Sequence, residues 1–271
     1  MSSKLNLLIA FPYCTTQVVD LISKHQATTR FLLDSGAFTA WKTGKKVTVE
    51  DYCSFISDLP FKPWRYFNLD VIGDAEGSYK NYKKMLDKGF NPVPIFTRGE
   101  NIKMVEEYYK TSDVLGIGGL VGTKGNRGFV KGIMEVVGNR KVHWLGFTNK
   151  NYVAYYKPYM CDSSSWEGGA RYGNFNLYMG RGKYKTLKRE NFKLKPTEEI
   201  SRKLLEYNVD ITELSKEKNW RGGDSLNRRL NAKSAVKESV EIEKVLGVKK
   251  FSAAATELAA RFLIEAHKEE L

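Results

Sequence analysis

Cysteine is scarce, with three in 271 residues, at Cys14, Cys53 and Cys161. An odd number at wide spacing argues against both a disulfide framework and a Cys-x-x-Cys metal clamp, and fits a reducing cytosol. Long apolar runs are missing too, since nothing approaches the ~18 to 20 residues that a spanning helix needs. The apolar run near the start, Leu5 to Phe11, follows a single lysine and ends at Pro12-Tyr13 without a small-residue cleavage site, so no signal peptide is expected. Internal repeats and low-complexity segments are not evident. Acidic residues are in deficit, 31 against 44 lysines and arginines. The surplus of +13 favours a polyanionic partner; nucleic acid is the expected one, and a membrane is not.

Apolar residues make up 42% and charged residues 28% of the chain, enough to close a sizeable core and unlike disordered, collagenous or coiled-coil sequences. The length suits one α/β barrel with a short appendage. Up to about residue 165, short β-branched or aromatic runs alternate with amphipathic stretches, the pattern of parallel strands joined by crossover helices. The strand candidates are Leu5–Phe11, Arg30–Asp34, Arg65–Val71, Pro92–Thr97, Val114–Gly118, Val142–Phe147 and Tyr159–Asp162. Val49–Leu59, Gly77–Lys88, Asn101–Lys110, Gly128–Val137 and Asn149–Tyr156 read as helices, with Thr48 as a cap and Gly89 and Gly138 as stops. A closed barrel wants an eighth strand, and Phe175–Met179 is the candidate; an open doubly wound sheet is the alternative.

After residue 180 the texture changes. Arg181 to Lys195 carries seven basic residues, among them Lys183, Lys185, Lys188 and Arg189, against Glu190 alone. This is either a nucleic-acid grip or a solvated loop or hairpin. Beyond Pro196 the chain reads helical over Glu198–Tyr207, Leu226–Leu246 and Ser252–His267. Arg228, Arg229, Lys233 and Lys237 make a second basic face, suited to a phosphate backbone or to plain helix surface. The division expected is a barrel core over 1–180 and, over 181–271, a basic segment with C-terminal helices packed on or completing the barrel.

Three segments place an acid directly after a strand candidate, at the rim where barrel enzymes keep their active sites. They are Phe31-Leu32-Leu33-Asp34-Ser35-Gly36-Ala37-Phe38, Phe67-Asn68-Leu69-Asp70-Val71-Ile72-Gly73-Asp74, and Tyr159-Met160-Cys161-Asp162-Ser163. One such acid commonly just caps the next helix. Three in a basic protein suggest a site, with small residues behind Asp34 letting a ligand approach the backbone. Gly116-Ile117-Gly118-Gly119-Leu120-Val121-Gly122 is not a GxGxxG fingerprint, so its glycines are read as exposing backbone amides. His143, inside an apolar strand, is read as a core histidine without a catalytic role.

As an ordered set over roughly residues 5–175, these segments resemble the tRNA-guanine transglycosylase superfamily. Asp34-Ser35-Gly36-Ala37-Phe38 is similar to its Asp-Ser-Gly-Gly-aromatic motif, Gly118-Gly119-Leu120-Val121-Gly122 to its Gly-Gly-Leu loop, and Leu145-Gly146-Phe147 to its Met-Gly-Val strand. Asp162 with Ala170-Arg171-Tyr172-Gly173 is similar to its nucleophile segment. The resemblance implies a TIM-like (β/α)8 barrel. It makes Asp162 the nucleophile at C1′ of a guanosine, Asp34 the acid/base and Asp70 the reader of the guanine edge. Ser35 and Gly118 join the base site, the amides of Gly119 and Leu120 lie near O6, and Phe38 and Leu145 sandwich the ring. Arg171, Lys183, Lys185, Lys188, Arg189, Arg228 and Arg229 are the expected nucleic-acid contacts.

Two departures narrow the expectation. The Cys-x-Cys-x-x-Cys and His set of the family's zinc subdomain has no counterpart, so no metal or other cofactor is expected. Thr97-Arg98-Gly99-Glu100 stands where the family has a Gln-Gly-Gly base-recognition segment. A short, zinc-free, basic chain is similar to the phage and bacterial branch that places 7-deazaguanines in DNA. The implied partners are DNA and a free 7-deazaguanine such as the 7-cyano compound, in the host cytoplasm if the source is a phage. The family includes homodimers, which makes a second copy a candidate partner. The same chemistry on tRNA, a hydrolytic N-glycosidase and a non-catalytic nucleic-acid-binding barrel are the alternatives.

Overall fold

The computed structural model describes residues 3–120, 126–193 and 196–270. In chain order the first half runs β1 (Leu5–Ala10), α1 (Thr16–His25), β2 (Thr29–Asp34), α2 (Ala37–Thr43), α3 (Val49–Asp58), β3 (Arg65–Tyr66), α4 (Ala75–Asp87), β4 (Ile95–Phe96), α5 (Met104–Tyr109) and β5 (Val114–Ile117). The second half runs α6 (Asn126–Val137), β6 (Lys141–Trp144), α7 (Lys150–Tyr156), β7 (Met160–Ser163), α8 (Ser165–Arg171), β8 (Asn174–Gly180), β9 (Lys183–Lys188), α9 (Glu190–Lys193), α10 (Glu198–Leu205), α11 (Leu226–Leu246), β10 (Lys249–Ala254) and α12 (Glu257–Glu270). Eight strands form one parallel sheet in the order β3-β2-β1-β10-β7-β6-β5-β4. A parallel bridge from Phe67 to Val93 links the segments beside the two edge strands, with Val93 donating to the Tyr66 carbonyl at 2.8 Å. The curled sheet therefore meets itself, and with crossover helices outside it the chain is a TIM-like (β/α)8 fold.

The eighth strand is a correction. Phe175–Met179 lies in β8, which pairs antiparallel with β9 in a separate two-stranded ribbon. The slot between β1 and β7 is filled by β10, whose Ser252-Ala253-Ala254 looked like the start of a helix. Alanine's helix preference is a weak prior, and the backbone ladders on both sides of this slot override it. The last helix accordingly begins at Glu257. With α11 feeding β10 and α12 following it, the C-terminal helices complete the barrel. Helices α1 and α2 were not legible from periodicity.

Strand alternation sorts the core. Leu8, Leu32, Phe67, Val114, Met160 and Phe251 belong to an inner cluster, while the alternate residues Leu7, Leu33 and Cys161 join outer clusters against the helices. A further cluster of Phe175, Leu177, Leu187, Phe192, Leu204 and Trp220 gives the excursion between β7 and α11 a core of its own. The basic segment is thus strand β9, with Leu187 buried, followed by α9. Lys195 at its end lies outside the described residues.

Three cations of the second basic face, Arg229, Lys233 and Lys237, are engaged in ion pairs within the chain. Lys233 is buried and pairs with Glu269 at 2.5 Å, Lys237 pairs with Glu270 at 2.6 Å, and Arg229 bridges Asp224 and Glu265. The pairs with Glu265, Glu269 and Glu270 bind α11 to α12. Among the described residues, no helix is long and apolar enough to cross a membrane.

Candidate active site

Leu32 and Met160 face the barrel interior, so the residue two places further on each strand faces the same way. That step carries the inner face from apolar to acidic and puts Asp34 and Asp162 at the carboxyl ends of β2 and β7, where barrel sites form. Asp70 follows β3 on the neighbouring loop. Asp74, in the same segment, does act as a helix cap, accepting from the Gly77 amide at 2.9 Å.

On the β2–β3 side, Asp34 Oδ2 accepts from the Gly36 amide at 2.9 Å, and the fully buried Ser35 donates its hydroxyl to Asp70 Oδ1 at 3.1 Å. Ser35 also accepts from the Ala37 amide, so its hydroxyl links the two acids' loops and is not held open for a base. Gly36 has φ +77°, and a Cβ there would lie 2.3 Å from Pro12 Cδ. The small residue behind Asp34 therefore makes room for the chain's own Pro12, a correction to its reading as ligand space. Burial first, then the charge of Asp70 and, less strongly, that of Asp162, push the Asp34 carboxyl up to about 7; the Gly36 and Ser35 amides act against this. Burial also raises Asp70, opposed by the Ser35 hydroxyl. Burial and the charge of Asp34 push the Cys14 thiol up to about 12, so it stays protonated beside the site.

On the β6–β7 side, Asp162 is 9% exposed. Its Oδ1 lies 2.8 Å from His143 Nε2 and accepts from the Gly146 amide at 2.9 Å. Gly146 has φ +64°, a left-handed turn directly after β6 that aims its amide back at the acid. His143 is fully buried, edge-on to Phe67 at 4.9 Å, and among the described residues its Nδ1 has no hydrogen-bond partner. An imidazole with its proton on Nε2 donates to Asp162 and leaves a bare acceptor, not a stranded N–H, among the aromatics. His143 is a core histidine, as expected, and what the structure adds is its partner: the ring faces the barrel interior and orients the acid. Register was the signal that could have found it, because His143 pairs with Met160, two residues before Asp162.

The remaining expected residues divide. Leu145 continues the inner face of β6 beyond His143, with its amide bonded to the Ile117 carbonyl at 3.1 Å. The Gly118 amide is already used by the Phe96 carbonyl at 2.8 Å, Gly119 is exposed, and Leu120 packs into the outer core. Val121 and Gly122 of that loop lie outside the described residues. Phe38 is 60% exposed on α2. Glu100 is occupied inside its own loop, accepting from the Thr97 amide and the Tyr108 hydroxyl.

Arg171 and Arg228 line one cleft of about 570 Å³ with Arg221, Tyr172 and the mostly buried Glu167. Arg189 pairs with Glu217 at 2.8 Å and Lys185 lies 3.7 Å from Glu199, whereas Lys183 and Lys188 are exposed. The three cysteines are free, and among the described residues no cluster of three or more His, Cys, Asp or Glu side chains is arranged to hold a metal ion. No protein-family model, curated protein or solved structure matches the chain.

Proposed function

We propose that this chain is a transglycosylase that exchanges guanine in DNA for a 7-deazaguanine, such as 7-cyano-7-deazaguanine, through a covalent aspartyl–nucleoside intermediate. The observation that carries the reading is the division of labour among carboxyls at one barrel mouth. Asp162 is held through Oδ1 by two N–H groups, while Asp34 is pushed up to about 7 by burial and by the other acids. A carboxyl with raised proton affinity set across from a second, oriented carboxyl is the arrangement that chemistry at a glycosidic carbon uses.

In this mechanism Oδ2 of Asp162 attacks C1′ on the face opposite guanine, and the C1′–N9 bond breaks with its electron pair going to the base. Asp34 gives its proton to the departing ring. The 7-deazaguanine then attacks C1′ through its ring nitrogen, expels the Asp162 carboxylate and returns a proton to Asp34. Two inversions restore the configuration, and no phosphodiester is cut. Asp70, held by Ser35, accepts from the N1–H and N2–H₂ edge of guanine. A target within duplex DNA is first flipped out of the stack.

The test is incubation with DNA and isotope-labelled 7-deazaguanine, followed by digestion to nucleosides and mass spectrometry. Label in DNA that disappears with Asp162→Asn supports the reading. Label in tRNA and none in DNA moves the chemistry to RNA. Abasic sites formed without added base make the protein a hydrolase, and DNA binding without either product makes it a binding barrel.

A further inference from the structure

Helix α2 starts three residues after Asp34, and two of its seven residues are large exposed aromatics, Phe38 at 60% and Trp41 at 63%. Their ring centroids are 5.9 Å apart and the planes are inclined by 36°. Ala37 and Ala40, on the buried side, seat the helix on the barrel and leave both rings outside. The chain continues as Lys42-Thr43-Gly44-Lys45-Lys46, exposed throughout. Among the described residues, no ion pair engages Lys42, Lys45 or Lys46. Glu50, a few residues on, is committed to Lys84 and Lys88, and Asp51 accepts the Thr48 hydroxyl. This differs from α11, whose cations are paired with acids of α12.

We propose that residues 38–46 form a clamp for single-stranded DNA, in which a base stacks on Trp41 and the neighbouring phosphates run along Lys42, Lys45 and Lys46. Among the described residues the two exposed rings have no aromatic partner but each other, and a base presents a flat π-face that covers them. Bases in a duplex are already stacked, so the surface suits a single strand. Three uncompensated lysines within five residues supply the complementary charge to its backbone. The clamp rests on the nucleic-acid part of the proposed function, not on base exchange, and its place beside Asp34 leads a strand toward the barrel mouth.

The experiment measures fluorescence anisotropy of a labelled oligothymidylate of about 12 nucleotides, near the length one binding fold covers. It contains no guanine, so binding is read apart from exchange. Trp41→Ala is expected to weaken binding about tenfold or more, with Trp41→Phe close to the parent. Reversing Lys42, Lys45 and Lys46 to glutamate is expected to flatten the slope of log affinity against log salt by about 2. The clamp is overturned by unchanged affinity in Trp41→Ala, by an unchanged salt slope, or by stronger binding of oligouridylate than of oligothymidylate. It is also overturned if Trp41→Ala only dissociates a dimer in sedimentation, since a second copy would then cover the rings. Base exchange on guanine-containing DNA is scored separately. Trp41-dependent binding without exchange defeats the transglycosylase reading and leaves the clamp standing; normal exchange by Trp41→Ala at limiting DNA defeats the clamp alone.

Discussion

The two sides of the barrel mouth carry the same side chain and treat it in opposite ways. Asp34, at the end of β2, sits near Asp70 in a buried setting that raises its affinity for a proton. Asp162, at the end of β7, has a histidine and a backbone amide converging on one oxygen. Like charge and dehydration keep a proton available on one side; convergent donors fix an oxygen's orientation on the other. Position at a strand end makes a carboxyl available to a ligand, and the neighbouring strands decide what it can do there.

Breaking the β7 side has the largest expected effect. Asp162→Asn should lower exchange by about ten-thousand-fold or more, because an amide cannot form the ester to C1′, while circular dichroism stays that of the parent. His143→Ala should lower kcat about a hundredfold with a smaller change in KM, because it frees the Asp162 carboxyl to rotate without removing the proposed nucleophile. His143→Gln, which can still donate, should recover part of the loss; full activity of His143→Ala would reduce the ring to core packing.

The β2 side is sharpened by pH. A raised carboxyl binds its proton more tightly folded than unfolded, so its contribution to stability is present below the unfolded value near 4 and is lost as pH rises through about 7. Asp34→Asn, which keeps an oxygen for the Gly36 amide, should melt a few degrees above the parent at pH 8, with a smaller difference at pH 4. Exchange by the parent should decline as pH rises through about 7. A pH-independent melting difference would mean that Asp34 keeps no extra proton in the fold.

The smallest effects should come from the basic residues. Reversing Lys183 and Lys188 on the exposed ribbon should weaken DNA binding several-fold in low salt and leave the melting temperature unchanged. Lys233→Met should lower the melting temperature and leave binding unchanged, because that cation is spent on Glu269. Equal effects in the two variants would erase the difference between an open cation and a paired one.

Much of this architecture is legible in the chain itself, and the exceptions share a cause. Short apolar runs ending in acid are local patterns, so seven strands and the three acids of the mouth could be read directly. Ser252-Ala253-Ala254 has no local strand signature; it is a strand because β1 and β7 leave a gap of that width. His143 looks apolar-strand-bound until β6 and β7 are set in register. The spacing of Arg229, Lys233 and Lys237 suggested an open stripe because their partners, Glu265, Glu269 and Glu270, stand more than thirty residues away in the sequence.

The order of strands and crossover helices through β7, the surplus of positive charge and the placement of acids at strand ends follow from amino-acid periodicity and composition alone. Closure by β10, the donors on Asp162, the proton held by Asp34 and the identity of the unpaired lysines belong to the tertiary structure. Each of these depends on a partner brought close by folding from a distant part of the chain, and the energy of a carboxyl or an ammonium is set by what lies within a few ångströms of it.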